Sequence, residues 1–100
     1  MANKIEFSEA VKQYNPLLKQ YVPVVAKVHG NTHPEFYEVK AAYEDLVNKL
    51  KDPLSEKSEI STDFAKLRKI TSNYKIPEDV CETYEAVYTM LSELDASYSG

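Results

Sequence analysis

The sequence predicts an all-α protein that folds as an antiparallel four-helix bundle. Apolar residues recur at steps of three and four through four segments, which is the spacing of one face of a helix. The chain has two glycines, whereas tight β-turns and phosphate-binding loops consume glycine. Its 100 residues, 43% of them hydrophobic, fit one domain over residues 1–100. The predicted helices cover about residues 8–28, 33–51, 56–72 and 77–96.

The first predicted helix contains two prolines, Pro16 and Pro23. Ala10, Leu17 and Val24 widen its apolar stripe into a predicted core-facing surface. Each proline removes a backbone donor and predicts a kink or a restart. Because the stripe keeps its phase across both prolines, one bent helix is favoured over two. The stripe itself consists of Val11, Tyr14, Leu18, Tyr21, Val25 and Val28.

The connection to the second helix carries signals for a helix end and a helix start. Gly30 suits the left-handed position that closes a helix. Thr32 and Glu35 have the spacing of a capping box, in which two side chains satisfy the free N–H groups of a first turn. The second stripe consists of Phe36, Val39, Tyr43, Leu46 and Leu50.

The last two predicted helices are joined by a linker over residues 71–77. The fourth helix is predicted to begin near Pro77, where Glu78 and Asp79 would complement the positive end of its dipole. The third stripe consists of Ile60, Phe64, Leu67 and either Ile70 or Thr71, and the fourth of Val80, Tyr84, Val87, Leu91 and Leu94.

Charge and composition exclude several classes of function. The formal net charge of −4 gives no electrostatic footprint for nucleic acid. No segment approaches the ~18 apolar residues that a membrane span needs, and the first residues lack the apolar run of a signal peptide. A single cysteine, Cys81, fits a reducing compartment, so we expect a cytoplasmic protein. The acidic stretch over residues 74–100 is interpreted as a solvated face.

The two histidines are the first candidates for a metal site. His29 and His33 are four positions apart, and Glu35 and Glu38 are the nearest carboxylates. A turn between the two histidines breaks the helical spacing that would let them chelate one ion. Loop and capping roles are therefore favoured, and a metal site formed by His29, His33 and Glu35 is the alternative.

The cysteine is the remaining reactive candidate. Cys81 is predicted on the core-facing side of the fourth helix near its start, as a small buried hydrophobe. The alternative is a redox thiol, because a helix N-terminus favours the thiolate. No nucleophile–base constellation or acid–base pair is identifiable, so the chain is not expected to be an enzyme.

Two parts of the chain carry motifs of a known family. The segment Lys27–Phe36 reads KVHGNTHPEF, and the segments Leu67–Tyr74 and Pro77–Tyr84 read LRKITSNY and PEDVCETY. The first resembles the VHG..HPE loop between the first two helices of the RIC (repair of iron centres) family, which is hemerythrin-like. The other two are similar to that family's LT..Y..P..AC.TY stretch between its last two helices. The resemblance implies a four-helix bundle and a stress-response role in repairing iron–sulfur clusters with a di-iron centre held by histidines and glutamates.

The iron ligands of the family are not found at the corresponding positions. The first-helix histidine falls about where Ser8 stands, and the second-helix pair falls near Pro53 to Lys57, where the family has a further stretch. The third-helix histidine falls near Lys57, and the fourth-helix pair falls beyond Gly100. We therefore expect no cofactor and a metal-free module that acts through a protein partner or as a homodimer. The alternative is residual iron-centre repair that uses His29, His33 and Glu35.

Overall fold

The computed structural model describes residues 7–52 and 57–99 as four helices with antiparallel-type packing. The helices are α1 (Phe7–His29), α2 (Glu35–Lys51), α3 (Lys57–Thr71) and α4 (Glu82–Ser99). Helix α1 packs mainly on α4, and α2 packs mainly on α3. The predicted all-α fold class is confirmed, and the first three helices lie within two residues of their predicted bounds. In the described ranges, no helix is long and apolar enough to cross a membrane.

Helix α1 runs without interruption through Pro16 and Pro23. Both prolines are exposed, and so are Lys12 and Lys19, whose carbonyls lose their regular N–H partners four residues later. The missing bonds therefore fall on the side of the helix that water can reach. The expectation of one helix is confirmed, and the alternative of a restart is wrong.

The core is rich in aromatic side chains. Phe36, Phe64, Tyr84 and Tyr88 are at most 1% exposed. At one end of the bundle, the ring of Phe7 lies edge-on to Phe64, with their centroids 6.1 Å apart. The other buried hydrophobic residues are Ala10, Leu18, Val22, Val25, Ala26, Val39, Ala42, Tyr43, Leu46, Leu67, Val87, Met90, Leu91 and Leu94.

Part of the prediction of which α1 side chains face the core is wrong. Leu17, Val24 and Val28 are 41%, 51% and 65% exposed. The apolar stripe of α1 is wider than the area that its neighbours cover, because α1 packs mainly on α4 and to a smaller extent on α2. Periodicity identifies an apolar stripe, but it does not say how far a neighbouring helix extends across it.

The α1–α2 connection differs from both of its predicted caps. Gly30 does not have a positive φ. It is buried, and a Cβ atom there would collide with the Tyr37 ring and the Ala26 carbonyl. The Thr32 hydroxyl donates to the His29 carbonyl at 3.2 Å, and α2 is preceded by Pro34, which makes no side-chain cap. The glycine is therefore required for close packing, and the capping box does not form.

Helix α4 begins at Glu82, five residues later than predicted from Pro77. A left-handed turn follows α3, in which Ser72, Asn73 and Tyr74 have φ values of 54°, 62° and 63°. The turn is fixed by the Asn73 N–H, which donates to the Arg68 carbonyl at 2.8 Å. Residues 75–81 then form an irregular connection that crosses the end of the bundle.

Candidate functional site

The candidate site lies where the α1–α2 connection meets the α3–α4 connection. There the fold brings together all four site candidates of the sequence and adds Asp79 and Tyr84 to them. We call this group the histidine cluster; it consists of His29, His33, Glu35, Asp79, Cys81 and Tyr84.

His33 is held by a carboxylate at each ring nitrogen. Its Nδ1 atom lies 3.1 Å from Glu35 Oε2, and its Nε2 atom lies 3.0 Å from Asp79 Oδ1. The His33 side chain is 14% exposed, whereas Asp79 is 70% exposed. Glu35 begins α2 and Asp79 lies in the α3–α4 connection, so this imidazole links two segments that are far apart in sequence. The predicted loop role of His33 therefore has a defined geometry.

His29 and Cys81 form the second contact of the cluster. His29 Nε2 lies 3.2 Å from the Cys81 sulfur, although the two residues are 52 positions apart. Cys81 is exposed and precedes the first residue of α4, and its carbonyl accepts the Glu85 N–H at 3.1 Å. The prediction of a core-facing cysteine is wrong, because α4 starts at Glu82 and Cys81 stands before the helix.

Tyr84 is the buried residue of the cluster on which both histidine rings pack. The rings of His29 and His33 meet its ring edge-on, with centroids 5.4 Å and 5.6 Å away. Its hydroxyl lies 3.1 Å from that of Tyr88. Burial is the main reason why the pKa of Tyr84 is raised, and the nearby Tyr88 and Glu35 raise it further. Both tyrosines are thus kept protonated as hydrogen-bonding groups.

Sequence reasoning missed the part that Asp79 and Tyr84 play in this cluster. Tyr84 was predicted as a stripe residue and Asp79 as a partner of a helix dipole. Neither prediction could include the histidines, because nothing in the local sequence relates the two connections. The VHG..HPE and AC.TY segments of the resemblance were the available signal, since they contain His29, His33, Cys81 and Tyr84.

The residues present do not fit a di-iron centre. Ser8 is exposed on α1, and Lys57, at the position of the expected third-helix histidine, begins α3. The expected second-helix pair falls mostly at residues 53–56, outside the described residues. Within residues 7–52 and 57–99, no group of three or more His, Cys, Asp or Glu side chains could hold a metal ion. The contacts of His29, His33 and Glu35 are instead with other protein groups.

Comparison with known proteins identifies relatives of the chain. Two iron-sulfur cluster repair proteins named ScdA, from two strains of Staphylococcus epidermidis, are each 23% identical to it over 122 aligned residues. The match covers 89% of this chain. The chain is a distant homologue of ScdA. The resemblance to the RIC family is thereby confirmed.

The likeness to ScdA is partial in length. The chain spans about half the length of the ScdA relatives it matches, because the alignment covers 54% of them. The matched stretch is also longer in ScdA than here, since 122 aligned positions correspond to 89% of a 100-residue chain. No protein-family model matches the chain. No solved structure matches it significantly.

Proposed function

We propose that this chain is a metal-free helical module of the RIC kind that regulates iron–sulfur cluster repair through protein contact. The homology to ScdA supplies the link to cluster repair. The module itself performs no catalytic step in this proposal. Its partner is either a repair protein that carries iron or the damaged iron–sulfur protein. The single cysteine of the module supports a cytoplasmic location in this proposal, because one cysteine cannot form an internal disulfide.

The observation that carries the proposal is the composition of the bundle interior. Among the described residues, the buried polar or charged side chains are Asp63, Thr71 and Asp95, and each has a structural partner. Asp63 pairs with Lys49, at 3.1 Å, and Asp95 pairs with Arg68, also at 3.1 Å. Metal ligands in a bundle project inward from several helices, whereas this interior is filled by aromatic and aliphatic side chains.

The outer surface of α1 supports a role in protein contact. Leu17, Val24 and Val28 are exposed and lie seven and four residues apart, so they share one face of the helix. A row of exposed apolar side chains is typical of a surface that another protein covers.

The experiment combines an iron assay with a repair assay. The purified chain is incubated with Fe(II) under argon, desalted, and analysed for iron by elemental analysis and optical spectroscopy. A [4Fe–4S] hydratase damaged by nitric oxide is then treated with iron-loaded ScdA, with and without the chain. We expect less than one iron per chain, no repair by the chain alone, and a changed rate of repair by ScdA.

Two results would overturn the proposal. One is stoichiometric iron with the optical spectrum of a di-iron centre. The other is an unchanged repair rate combined with no binding of the chain to ScdA or to the hydratase in calorimetry. A His33→Ala variant tests the residual metal role separately, because loss of iron from this variant alone would assign the metal to the histidine cluster.

A further inference from the structure

Helix α1 carries a row of apolar side chains that its neighbours leave exposed. Leu17, Val24 and Val28 make up this row, and they are three of the four large hydrophobic residues that are exposed in the described ranges. Their spacings of seven and four residues keep them on one face of the helix. The row extends over about 16 Å, or about three turns, of α1. It is therefore long enough for another helix to pack along it.

Helix α4 runs along one side of this row. Tyr14 lies one turn before the first residue of the row, and a hydrogen bond to the Glu93 side chain is the main reason why the pKa of Tyr14 is raised. His29 directly follows the last residue of the row, and its Nε2 atom lies 3.2 Å from the sulfur of Cys81, the residue before α4. The two contacts place the beginning of the row near Glu93 and its end near Glu82.

The exposed charges of α4 are all negative. Glu82, Glu85 and Glu93 are exposed, and the helix contains no Lys, Arg or His. In the part of the chain that the structure describes, none of these three carboxylates forms a salt bridge. At about 100° per residue, Lys19 and Lys27 of α1 fall on the side of the row away from α4, and Lys19 lines a groove against α2. The described residues thus pair no cation with the carboxylates beside the row.

We propose that this surface binds a lysine- or arginine-rich amphipathic helix of a partner protein. We call the surface the α1–α4 face; it consists of Leu17, Val24, Val28, Glu82 and Glu93. The apolar stripe of the partner helix packs on the exposed apolar row, and the cations that border the stripe lie beside the carboxylates of α4. The inference rests on the proposed protein-contact function and names the chemistry of the partner.

Charge selects a basic helix over the other occupants of an apolar surface. A second copy of the chain has the same net charge of −4 and the same acidic α4, so charge repulsion opposes its approach. The carboxylates also repel nucleic acid and anionic lipid. A basic amphipathic helix is attracted by them, and the long stems of its lysine or arginine side chains add apolar contact.

The probes are two acetylated and amidated peptides, LKKLAKKLKKLAKK and LEELAEELEELAEE, each titrated into the ¹⁵N-labelled chain. Both place leucine at the spacing of one helix face, and they differ only in the sign of their charge. We expect the lysine peptide to shift the amide signals of α1 around Val24 and of α4 between Glu82 and Glu93. The glutamate peptide should bind about tenfold more weakly, and added salt should weaken binding of the lysine peptide.

Two double variants test the role of the carboxylates. Glu82→Gln/Glu93→Gln should weaken binding of the lysine peptide about fivefold, as expected for the loss of two exposed ion pairs. Glu38→Gln/Asp45→Asn removes two exposed carboxylates of α2 and should change the affinity less than about twofold. Both variants change the net charge by the same amount, so a general effect of charge would appear equally in both.

A second pair of variants tests the apolar row. Val24→Asn should weaken binding of the lysine peptide about fivefold, because it removes apolar surface that the partner helix covers. Tyr37→Asn is the matched control on α2, since both side chains are 51% exposed, and it should leave the affinity unchanged. Circular dichroism checks that each variant keeps its helix content.

Several results would overturn the proposal. They are equal binding of the two peptides, shifts that lie outside the α1–α4 face, and equal weakening by a variant of the face and its control. A dimer that forms through this face would also contradict it, and would be detected as concentration-dependent shifts of the same amide signals without peptide.

The outcomes separate this inference from the proposed function. Stoichiometric iron in the chain together with the expected peptide preference would overturn the function and leave the α1–α4 face intact as a binding surface. An altered ScdA repair rate together with equal binding of the two peptides would uphold the function and reject this face as its contact site.

Discussion

His33 and Asp79 link the α1–α2 connection to the α3–α4 connection, with Nε2 of the imidazole 3.0 Å from the carboxylate oxygen Oδ1 of Asp79. The two residues are 46 positions apart in sequence. Because Glu35 occupies the other ring nitrogen, His33 joins the start of α2 to the segment before α4. The histidine cluster is therefore part of what holds this end of the bundle together.

Replacing His33 should destabilise the protein. We expect His33→Ala to lower the free energy of unfolding by about 1–3 kcal/mol, because both hydrogen bonds of a half-buried ring are lost. Urea denaturation followed by circular dichroism measures this change. Thr32→Ala is the matched control in the same connection, since its exposed hydroxyl bonds only the adjacent His29 carbonyl. Equal stability of the His33 variant and the control would contradict the linking role.

The pair formed by Lys49 and Asp63 gives a second stability prediction. Asp63 is fully buried, and Lys49 Nζ lies 3.2 Å and 3.1 Å from its two carboxylate oxygens. Lys49→Met should cost about 3 kcal/mol, because it leaves a buried charge without its main partner. Lys66→Met is the control, since Lys66 is 55% exposed and 4.0 Å from Asp63. The double variant Lys49→Met/Asp63→Leu should recover much of the loss, and the same denaturation assay measures all three.

Stability should fall at high pH because of Tyr43. Burial raises the pKa of Tyr43 to about 12 from its ordinary value of 10.0. A pKa raised in the folded state means that the folded protein holds the proton more tightly than the unfolded chain. This stabilisation is fully present below pH 10 and is lost as the pH rises from about 10 towards 12.

Thermal unfolding at pH 8, 10 and 11 tests that dependence. We expect Tyr43→Phe to show a smaller decline above pH 10 than the unaltered chain, with Tyr37→Phe as control because Tyr37 is 51% exposed. The half-buried Tyr74 and the buried Tyr84, whose pKa values desolvation also raises, should account for the decline that remains in Tyr43→Phe. Identical pH profiles for the Tyr43 variant and the unaltered chain would refute the prediction.

Gly30 should not tolerate a methyl group. A Cβ there meets the Tyr37 ring and the Ala26 carbonyl, so we expect Gly30→Ala to cost about 1–3 kcal/mol. The half-exposed Tyr37 ring can move aside, whereas the backbone carbonyl cannot. Gly30→Ala should therefore lower the free energy of unfolding by the same amount whether residue 37 is tyrosine or has been replaced in a Tyr37→Ala background. Full rescue in denaturation experiments would show that the ring, and not the backbone, sets the limit.

The exposure of Cys81 predicts how the native protein reacts. Cys81 should be labelled fully by a maleimide in the absence of denaturant, because its side chain lies before α4 and is exposed. His29→Ala should slow the labelling severalfold, since the His29 imidazole can accept the thiol proton at a nitrogen–sulfur distance of 3.2 Å. Mass spectrometry of timed samples measures both rates. Labelling that requires guanidinium would place the thiol inside the core, as the sequence pattern predicted.

The helical pattern predicted three helices within two residues because apolar spacing is a local property. The same pattern placed the start of α4 at Pro77, five residues too early, because the helix-start signals there are local, whereas Asp79 makes a long-range contact with His33 in the irregular segment before α4. The preceding left-handed turn over Ser72, Asn73 and Tyr74 is closed by local bonds, such as that from the Asn73 N–H to the Arg68 carbonyl. The Tyr74 hydroxyl then ties the turn to the distant Asp95 of α4, to which it donates at 2.8 Å.

For the candidate site, the sequence supplied the members and the fold supplied their arrangement. His29, His33, Glu35 and Cys81 were identified by residue type and by the family resemblance. The contact of His29 with Cys81 spans 52 positions and exists only because α1 and α4 pack on each other. Asp79 and Tyr84 joined the cluster for the same reason.

The sequence by itself determined that the chain forms an all-α bundle related to the RIC family, because periodicity and motifs are carried by neighbouring residues. Only the tertiary structure decided which apolar side chains remain exposed, as with Leu17 and Val24 on α1. It also decided that the two histidines stand at one end of the bundle with protein partners. Burial and long-range contact depend on how far each neighbouring helix extends, and no local pattern encodes that distance.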